Sequence, residues 1–246
     1  MDVPRGTILK DAFLKAGLEV GETAGTRFLQ YNDLLIETNR SLNLTAITEF
    51  EEVVKKHFLD SCMLLCDREK LFSDKASEPL RLVDVGTGAG FPGLPLKIMR
   101  PEVRLTLIDS LRKRVDFLQD TVETLGLQDV DCVHARAEDA GKDPAFREGF
   151  DIAVSRAVAR LNVLSEYVLP FVKVNGLFVA YKSQDVEEEI EEAQNAFRIL
   201  GGEVERVSVF TLPGTDHKRS LVYIRKKSPS PEKYPRKAGK PEKAPL

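Results

Sequence analysis

The stretch Asp84-Val85-Gly86-Thr87-Gly88-Ala89-Gly90-Phe91-Pro92-Gly93 constrains the fold of this chain more than any other. It follows Arg81-Leu82-Val83-Asp84-Val85, which reads as a strand, and it precedes a helical stretch. Glycines let a backbone turn sharply and let a ligand come close to it. In an open α/β sheet, a nucleotide-type cofactor lies at such a place, at the carboxyl ends of the strands. The next β-type run, Leu105-Thr106-Leu107-Ile108-Asp109, ends on a carboxylate 23 residues after Gly86. A carboxylate there can accept hydrogen bonds from both hydroxyls of a ribose. The competing reading is a tight strand-to-helix turn in which Asp109 caps the next helix.

From about residue 79 onward, β-type runs alternate with helical patterns. Leu111, Val115, Leu118, Val122 and Leu125 recur at spacings of 4, 3, 4 and 3, the mark of an amphipathic helix, and Gly126 stands where a helix would end. Further strands are expected at 131–135, 151–155, 177–182, 205–212 and 220–226, with helices at 160–173 and 185–200. This alternation predicts a doubly wound, mainly parallel sheet. The last two runs are joined only by Pro213-Gly214-Thr215-Asp216, so they form an antiparallel hairpin at the sheet edge. Residues 1–78 read as a small helical N-terminal part. One helix is expected at 27–38, then a loop at 39–45, and a second helix opened by the capping box Thr48-Glu49-Phe50-Glu51. Residues 228–246 hold five prolines and five basic residues and read as a tail outside the fold. The expected divisions are therefore 1–78, 79–227 and 228–246.

The 246 residues are 42% apolar and 30% charged, the balance of a globular protein, and no apolar run reaches the ~20 residues of a membrane span. Cys62, Cys66 and Cys132 are an odd, sparse set, and no apolar leader follows Met1. Both point to a reducing cytoplasm. Cys62 and Cys66 lie one helical turn apart, but no Cys/His cluster completes a metal site, so no metal is expected. The net charge of −3 is uneven: residues 225–246 carry +6 and the rest −9. A basic tail on an acidic body fits a polyanionic partner as well as a merely solvated end.

The choice of cofactor turns on the glycine spacing. The dinucleotide fingerprint, G-x-G-x-x-G, would place its third glycine at position 91, where Phe91 stands. The chain reads G-x-G-x-G with an acid two residues ahead. That pattern resembles the class I S-adenosylmethionine-dependent methyltransferases, whose seven-stranded Rossmann-like sheet has an antiparallel last strand.

With more residues the resemblance narrows. Leu82 to Leu96 and Leu107-Ile108-Asp109-Ser110-Leu111-Arg112-Lys113-Arg114 are similar to blocks of the bacterial glucose-inhibited division protein B family. Those proteins are 16S ribosomal RNA (guanine-N7)-methyltransferases. Arg136-Ala137-Glu138-Asp139, Val154-Ser155-Arg156-Ala157, Asn43-Leu44-Thr45-Ala46-Ile47 and Lys56-His57-Phe58-Leu59-Asp60-Ser61 resemble further blocks, and Tyr234-Pro235-Arg236-Lys237-Ala238-Gly239 and Lys243-Ala244-Pro245-Leu246 resemble the C-terminus of some members. The resemblance implies an α/β class I methyltransferase with a helical N-terminal part, using S-adenosylmethionine on 16S rRNA of the small ribosomal subunit; a cytoplasmic location is expected from the cysteines, and a monomer is expected. The resemblance also implies cofactor contacts at Gly86, Phe91, Ala137, Glu138 and Arg156. Gly88 joins them from the glycine loop and Asp109 from the ribose argument.

Guanine N7 is a lone pair with no proton to remove, so methyl transfer to it needs alignment more than a general base. No catalytic acid–base pair is nominated. His57 reads as a packed histidine. Lys97, Arg100, Arg104, Arg112, Lys113 and Arg114 are candidates for phosphate contact. Two other readings of the residues stay open: a methyltransferase acting on a small molecule or protein, and a nucleotide-binding module without catalysis.

Overall fold

The computed structural model describes residues 3–72, 79–183 and 186–246. Two helices open the chain, α1 (Arg5–Lys15) and α2 (Glu22–Leu42). A third, α3 (Phe50–Val53), runs through a π-type turn at Val54–Leu59 into α4 (Asp60–Arg68). Seven strands follow, each placed where the β-type runs lie: β1 (Arg81–Val85), β2 (Arg104–Asp109), β3 (Val130–His134), β4 (Phe150–Arg156), β5 (Val172–Lys182), β6 (Gly202–Thr211) and β7 (Lys218–Lys226). Between them lie α5 (Gly93–Met99), α6 (Arg112–Thr124), α7 (Ala137–Ala140), α8 (Leu161–Val168) and α9 (Glu187–Leu200), and α10 (Lys240–Lys243) closes the chain.

The strand order is β3-β2-β1-β4-β5-β7-β6. The first five are parallel, and β7 runs antiparallel to both β5 and β6. This is the class I methyltransferase sheet with its antiparallel last strand. The order reverses between β1 and β4, so a crevice opens at their carboxyl ends. Side chains alternate across each strand. Leu82, Leu105, Leu107, Ile152 and Val179 enter one core, and Val83, Val85, Ile108, Ala153 and Ala180 the other. The first core also takes Phe13, Phe28, Tyr31 and Phe58 from the N-terminal helices, and the second takes Leu164, Val168, Ala196 and Phe197 from α8 and α9.

Gly126 has a φ of +58° and ends α6. Its N–H bonds to the Glu123 carbonyl and that of Leu127 to Val122, a Schellman closure.

Several expectations are corrected. The helix expected at 27–38 extends to Leu42, so the loop starts at Asn43, whose left-handed backbone (φ 50°) stops it. Thr48 does not cap the next helix: Glu49 takes that place without a side-chain cap bond. The helix expected at 160–173 ends at Val168, and β5 begins at Val172.

The largest correction is the C-terminal segment, which is not outside the fold. Arg147 donates to the carbonyls of Gly141, Ser230 and Tyr234 at 2.7–2.9 Å. Arg236 forms a bidentate pair with the fully buried Glu166, at 2.5 and 2.8–3.0 Å. Tyr234 is buried in the second core. Composition describes what a segment can bury by itself, and these contacts are supplied by the rest of the chain. The acidic stretch Glu187–Glu192 also gains a structural role. Its carboxylates begin α9, where the helix dipole favours them. Glu189 accepts from the Leu161 N–H at the start of α8 and pairs with Lys182 at 2.6 Å.

Candidate active site

The loop between β1 and α5 is shaped by a buried acid. Asp84 Oδ2 accepts from the Thr87 hydroxyl at 2.7 Å and from the Gly93 N–H at 2.8 Å. Gly93 is needed because a Cβ there would meet the Leu107 and Asp84 side chains at 2.6 and 2.9 Å. Burial pushes the Asp84 carboxyl up to about 7, against the pull of its two hydrogen bonds and of Arg156. Its other oxygen, Oδ1, has no partner among the described residues. The Gly93 N–H at the head of α5 is therefore committed to an acid, which disfavours a pyrophosphate at that end.

Gly86 and Gly88 adopt φ of +72° and +63°, and the Gly88 N–H donates to Asp109 Oδ2 at 2.9 Å. Asp109 Oδ1 accepts from the Leu111 N–H at 2.9 Å, but Leu111 itself is the N-cap of α6 and that cap has no side-chain bond, so Asp109 does not cap the helix and it lines the cleft. Arg114 approaches Asp109 at 3.6 Å. A cleft of about 320 Å³ opens here. Gly86, Asp109, Ala137 and Glu138 line it, and Tyr167 and Glu242 complete its wall. Four of the expected site residues therefore meet in one place, and Gly88 stands behind Asp109.

Phe91 and Arg156 do not line this cleft. Phe91 is buried in an aromatic stack, with ring centroids 4.6 Å from His57, 5.4 Å from Tyr31 and 6.2 Å from Phe58. Arg156 leaves the end of β4 toward a second cleft of about 480 Å³, its guanidinium 5.0 Å from the Phe91 ring. There Arg156 Nη1 donates to Asp60 at 2.8 Å, and Arg219 donates to the other oxygen of Asp60 at 3.2 Å. Arg156 also faces His57 Nδ1 at 3.3 Å. A guanidinium only donates, so Nδ1 is the acceptor and the imidazole proton sits on Nε2, which donates to Thr45 Oγ1 at 2.7 Å. Burial, then Arg156, lowers His57 to about 3, which keeps it neutral. Lys56 and Lys182 add to this basic lining.

The two clefts share Ala157, which has a left-handed φ of 58°. Val158, next to it, lies so close to Gly86 that a Cβ on the glycine would meet its methyl at 2.6 Å. The glycine loop, the end of β4 and the two clefts thus converge within one turn of chain.

The family model GidB, rRNA small subunit methyltransferase G, matches residues 25–222. The chain belongs to the GidB family. It is therefore an rRNA methyltransferase of the small ribosomal subunit. The ribosomal RNA small subunit methyltransferase G of Alkaliphilus metalliredigens (strain QYMF) is 49% identical over 97% of this chain and 98% of the relative. That of Clostridium perfringens (strain 13 / Type A) is 47% identical over 97% and 98%. A solved structure described as "Conversion of a Disulfide Bond into a Thioacetal Group during Echinomycin Biosynthesis" shares the fold, with a TM-score of 0.50, 14% identity, and coverage of 65% of this chain and 80% of that one.

Sequence reasoning missed Tyr167, Glu242, Asp60 and Arg219. They come from α8, the C-terminal segment, α4 and β7, far from the glycine motif; Asp60 lies in the family-like block Lys56–Ser61, which assigns it no role, and no local pattern marks Tyr167, Glu242 or Arg219. Lys97, offered as a phosphate contact, is buried and donates to the Pro101 and Val103 carbonyls at 2.7 and 2.5 Å. Among the described residues, no group of three or more His, Cys, Asp or Glu is arranged to hold a metal ion, and no helix is long and apolar enough to cross a membrane.

Proposed function

We propose that this chain methylates N7 of a guanine in 16S rRNA, with S-adenosylmethionine in the cleft under the glycine loop and the guanosine in the neighbouring basic cleft. The observation that carries the reading is the junction at Ala157, where an acid-lined cleft and a cleft lined by Lys56, Arg156, Lys182 and Arg219 meet. The first cleft fits the cofactor's chemistry. Asp109 suits a ribose diol, Glu138 and the Ala137 backbone suit an adenine edge, and Asp109, Glu138 and Glu242 outnumber Arg114 and Arg136 in the lining, which suits a net positive ligand. When bound, the cofactor supplies an electrophilic methyl group on a sulfonium.

The residues of the chain then have distinct tasks. Gly86 and Gly88 let the loop backbone come close to the ligand, and Asp84 holds that loop in shape. Phe91 packs against His57 and the Arg156 guanidinium and so helps to fix both. Arg156, fixed by Asp60 and His57, positions the acceptor and offers positive charge to RNA. N7 carries no proton, so no side chain needs to remove one. A-form RNA hides N7 in a deep, narrow groove, so the target guanine is unpaired or splayed out. Residues 79–227 form the cofactor-binding unit, and 1–78 supply one wall of the acceptor cleft. The enzyme works as a cytoplasmic monomer.

The test is labelled methyl transfer to small-subunit rRNA, followed by mass mapping of N7-methylguanine, together with calorimetry of cofactor binding. Asp109→Ala should weaken cofactor binding by ~1.5–3 kcal/mol, the range for a lost hydrogen bond to a charged group. NAD bound more tightly than S-adenosylmethionine, or label found on exocyclic amines, would overturn the reading.

A further inference from the structure

The C-terminal segment lies beyond residues 25–222, which the family model matches, yet it reaches the cleft assigned to the cofactor. We propose that residues 239–246 are a working wall of the cofactor site, with Glu242 as a binding residue at its mouth. This rests on the cofactor reading above and extends it to a part of the chain outside the α/β unit.

Three sets of contacts carry the inference. The segment is anchored in two places, by Arg147 on the Ser230 and Tyr234 carbonyls and by the Arg236–Glu166 pair. Pro235 packs where Gly141 leaves room, since a Cβ on Gly141 would lie 2.9 Å from its ring. Beyond these anchors the chain turns at Gly239, whose φ is +75°. The Gly239 N–H points to Glu138 Oε1 at 3.4 Å, so the segment holds the same buried carboxylate that the cleft presents. Then Glu242 accepts from the Tyr167 hydroxyl at 3.3 Å. Burial first, then Glu138 and Glu242, push that phenol well above its ordinary value, so it stays a donor. Tyr167 and Glu242 both line the cleft.

The chemistry follows. An adenine amine offers two N–H donors, and a sulfonium carries a positive charge. Glu138 and Glu242 supply carboxylate acceptors that suit such an amine, and their negative charge suits a cationic ligand. Removing 239–246 opens one side of the cleft to water and takes away one of its three carboxylates. The segment's exposed lysines remain free to meet RNA, but contact with RNA alone would not place Glu242 in this cleft.

The experiment compares the full chain with one ending at Ala238, which keeps Tyr234, Arg236 and both anchors. S-adenosylhomocysteine is the probe, measured by calorimetry, with the urea midpoint as a check on folding. The shortened chain should keep its midpoint and bind the probe at least about tenfold more weakly. Unchanged affinity overturns the inference, the more plainly if the slope of RNA affinity against salt flattens at the same time, because the segment would then serve RNA only. If the midpoint falls, Glu242→Ala in the full chain decides: weaker binding of the probe supports the inference, and unchanged binding overturns it. A full chain that does not bind the probe at all would overturn the cofactor reading, and this inference with it. A full chain that binds it while the variants match it would overturn this inference alone.

Discussion

The N-terminal helices meet the sheet mainly through an aromatic and aliphatic core, with Asp60 and Asp67 as ion-pair ties to Arg156, Arg219 and Arg206, and the C-terminal segment meets it mainly through charges and carbonyls. Phe28, Tyr31 and Phe58 form one continuous core with Phe91 and Leu82, and Tyr31 donates its hydroxyl to the Ala89 carbonyl on the glycine loop. The C-terminal segment buries Tyr234, but its main ties are Arg147 to backbone carbonyls and Arg236 to Glu166. Each end completes a different cleft, since Lys56, His57 and Asp60 serve the basic one and Glu242 the acidic one. Apolar packing is non-directional and scales with buried area, so it joins large elements robustly. Charge-assisted pairs are directional, so they can fix a short segment with little core of its own.

The comparison makes its strongest claim about stability. Phe58 is fully buried and touches three other rings, at centroid distances of 4.9 Å from Phe28, 5.4 Å from Tyr31 and 6.2 Å from Phe91. Phe58→Ala should cost ~3–5 kcal/mol of global stability, read from urea unfolding. A cost under about 1 kcal/mol would mean that the N-terminal helices are not cored into the sheet.

Arg236→Ala leaves the buried Glu166 with no ion-pair partner and should cost about 3 kcal/mol. Arg236→Lys should recover only part of this, because an ammonium cannot make the bidentate pair. Full recovery by lysine would show that charge, and not geometry, holds the segment.

Arg156→Ala should leave the fold intact, because Arg219 still pairs with Asp60. Single-turnover methyl transfer should fall at least about tenfold, roughly 1.4 kcal/mol of barrier. S-adenosylhomocysteine affinity should change little, since Arg156 lies in the basic cleft. The reverse pattern, lost cofactor affinity with normal turnover, would move Arg156 back to the cofactor side.

A pH dependence is expected as well. His57 is held at about 3 in the folded chain against 6.5 in the unfolded one, so its stabilising contribution is complete above pH 6.5 and is lost as pH falls toward 3. The melting temperature of the wild type relative to His57→Gln should therefore drop between pH 7.5 and 5, by about 2–4 °C per kcal/mol lost. A gap independent of pH would show that His57 titrates in the fold as it does in the unfolded chain.

The two ends also differ in how far they could be read in advance. The N-terminal helices were legible because apolar residues recur at helical spacing. Their boundaries were less so: α2 runs on to Leu42 and Thr48 caps nothing, because tertiary packing overrides local propensity and capping signals. The C-terminal segment was misread, because prolines and lysines describe a chain that cannot fold by itself, and its partners Arg147 and Glu166 lie far away in sequence.

The glycine loop, the carboxylate ending β2 and the strand–helix rhythm were determined by the sequence alone. They are local, since backbone turns and side-chain alternation are set by neighbouring residues. That is why Gly86 and Asp109 could be named from the strand, the glycine loop and the next strand's end, whereas Ala137 and Glu138 were named only through the family resemblance. Only the tertiary structure separated Arg156 and Phe91 from that group. Their direction depends on which face of β4 and of the loop meets the N-terminal helices, and on Asp60, His57 and Arg219 waiting there. It alone also brought Glu242 to Tyr167, a contact between residues 75 positions apart. Such contacts exist only after the chain has paid the entropy of closing long loops, and no pattern within a window of sequence records them.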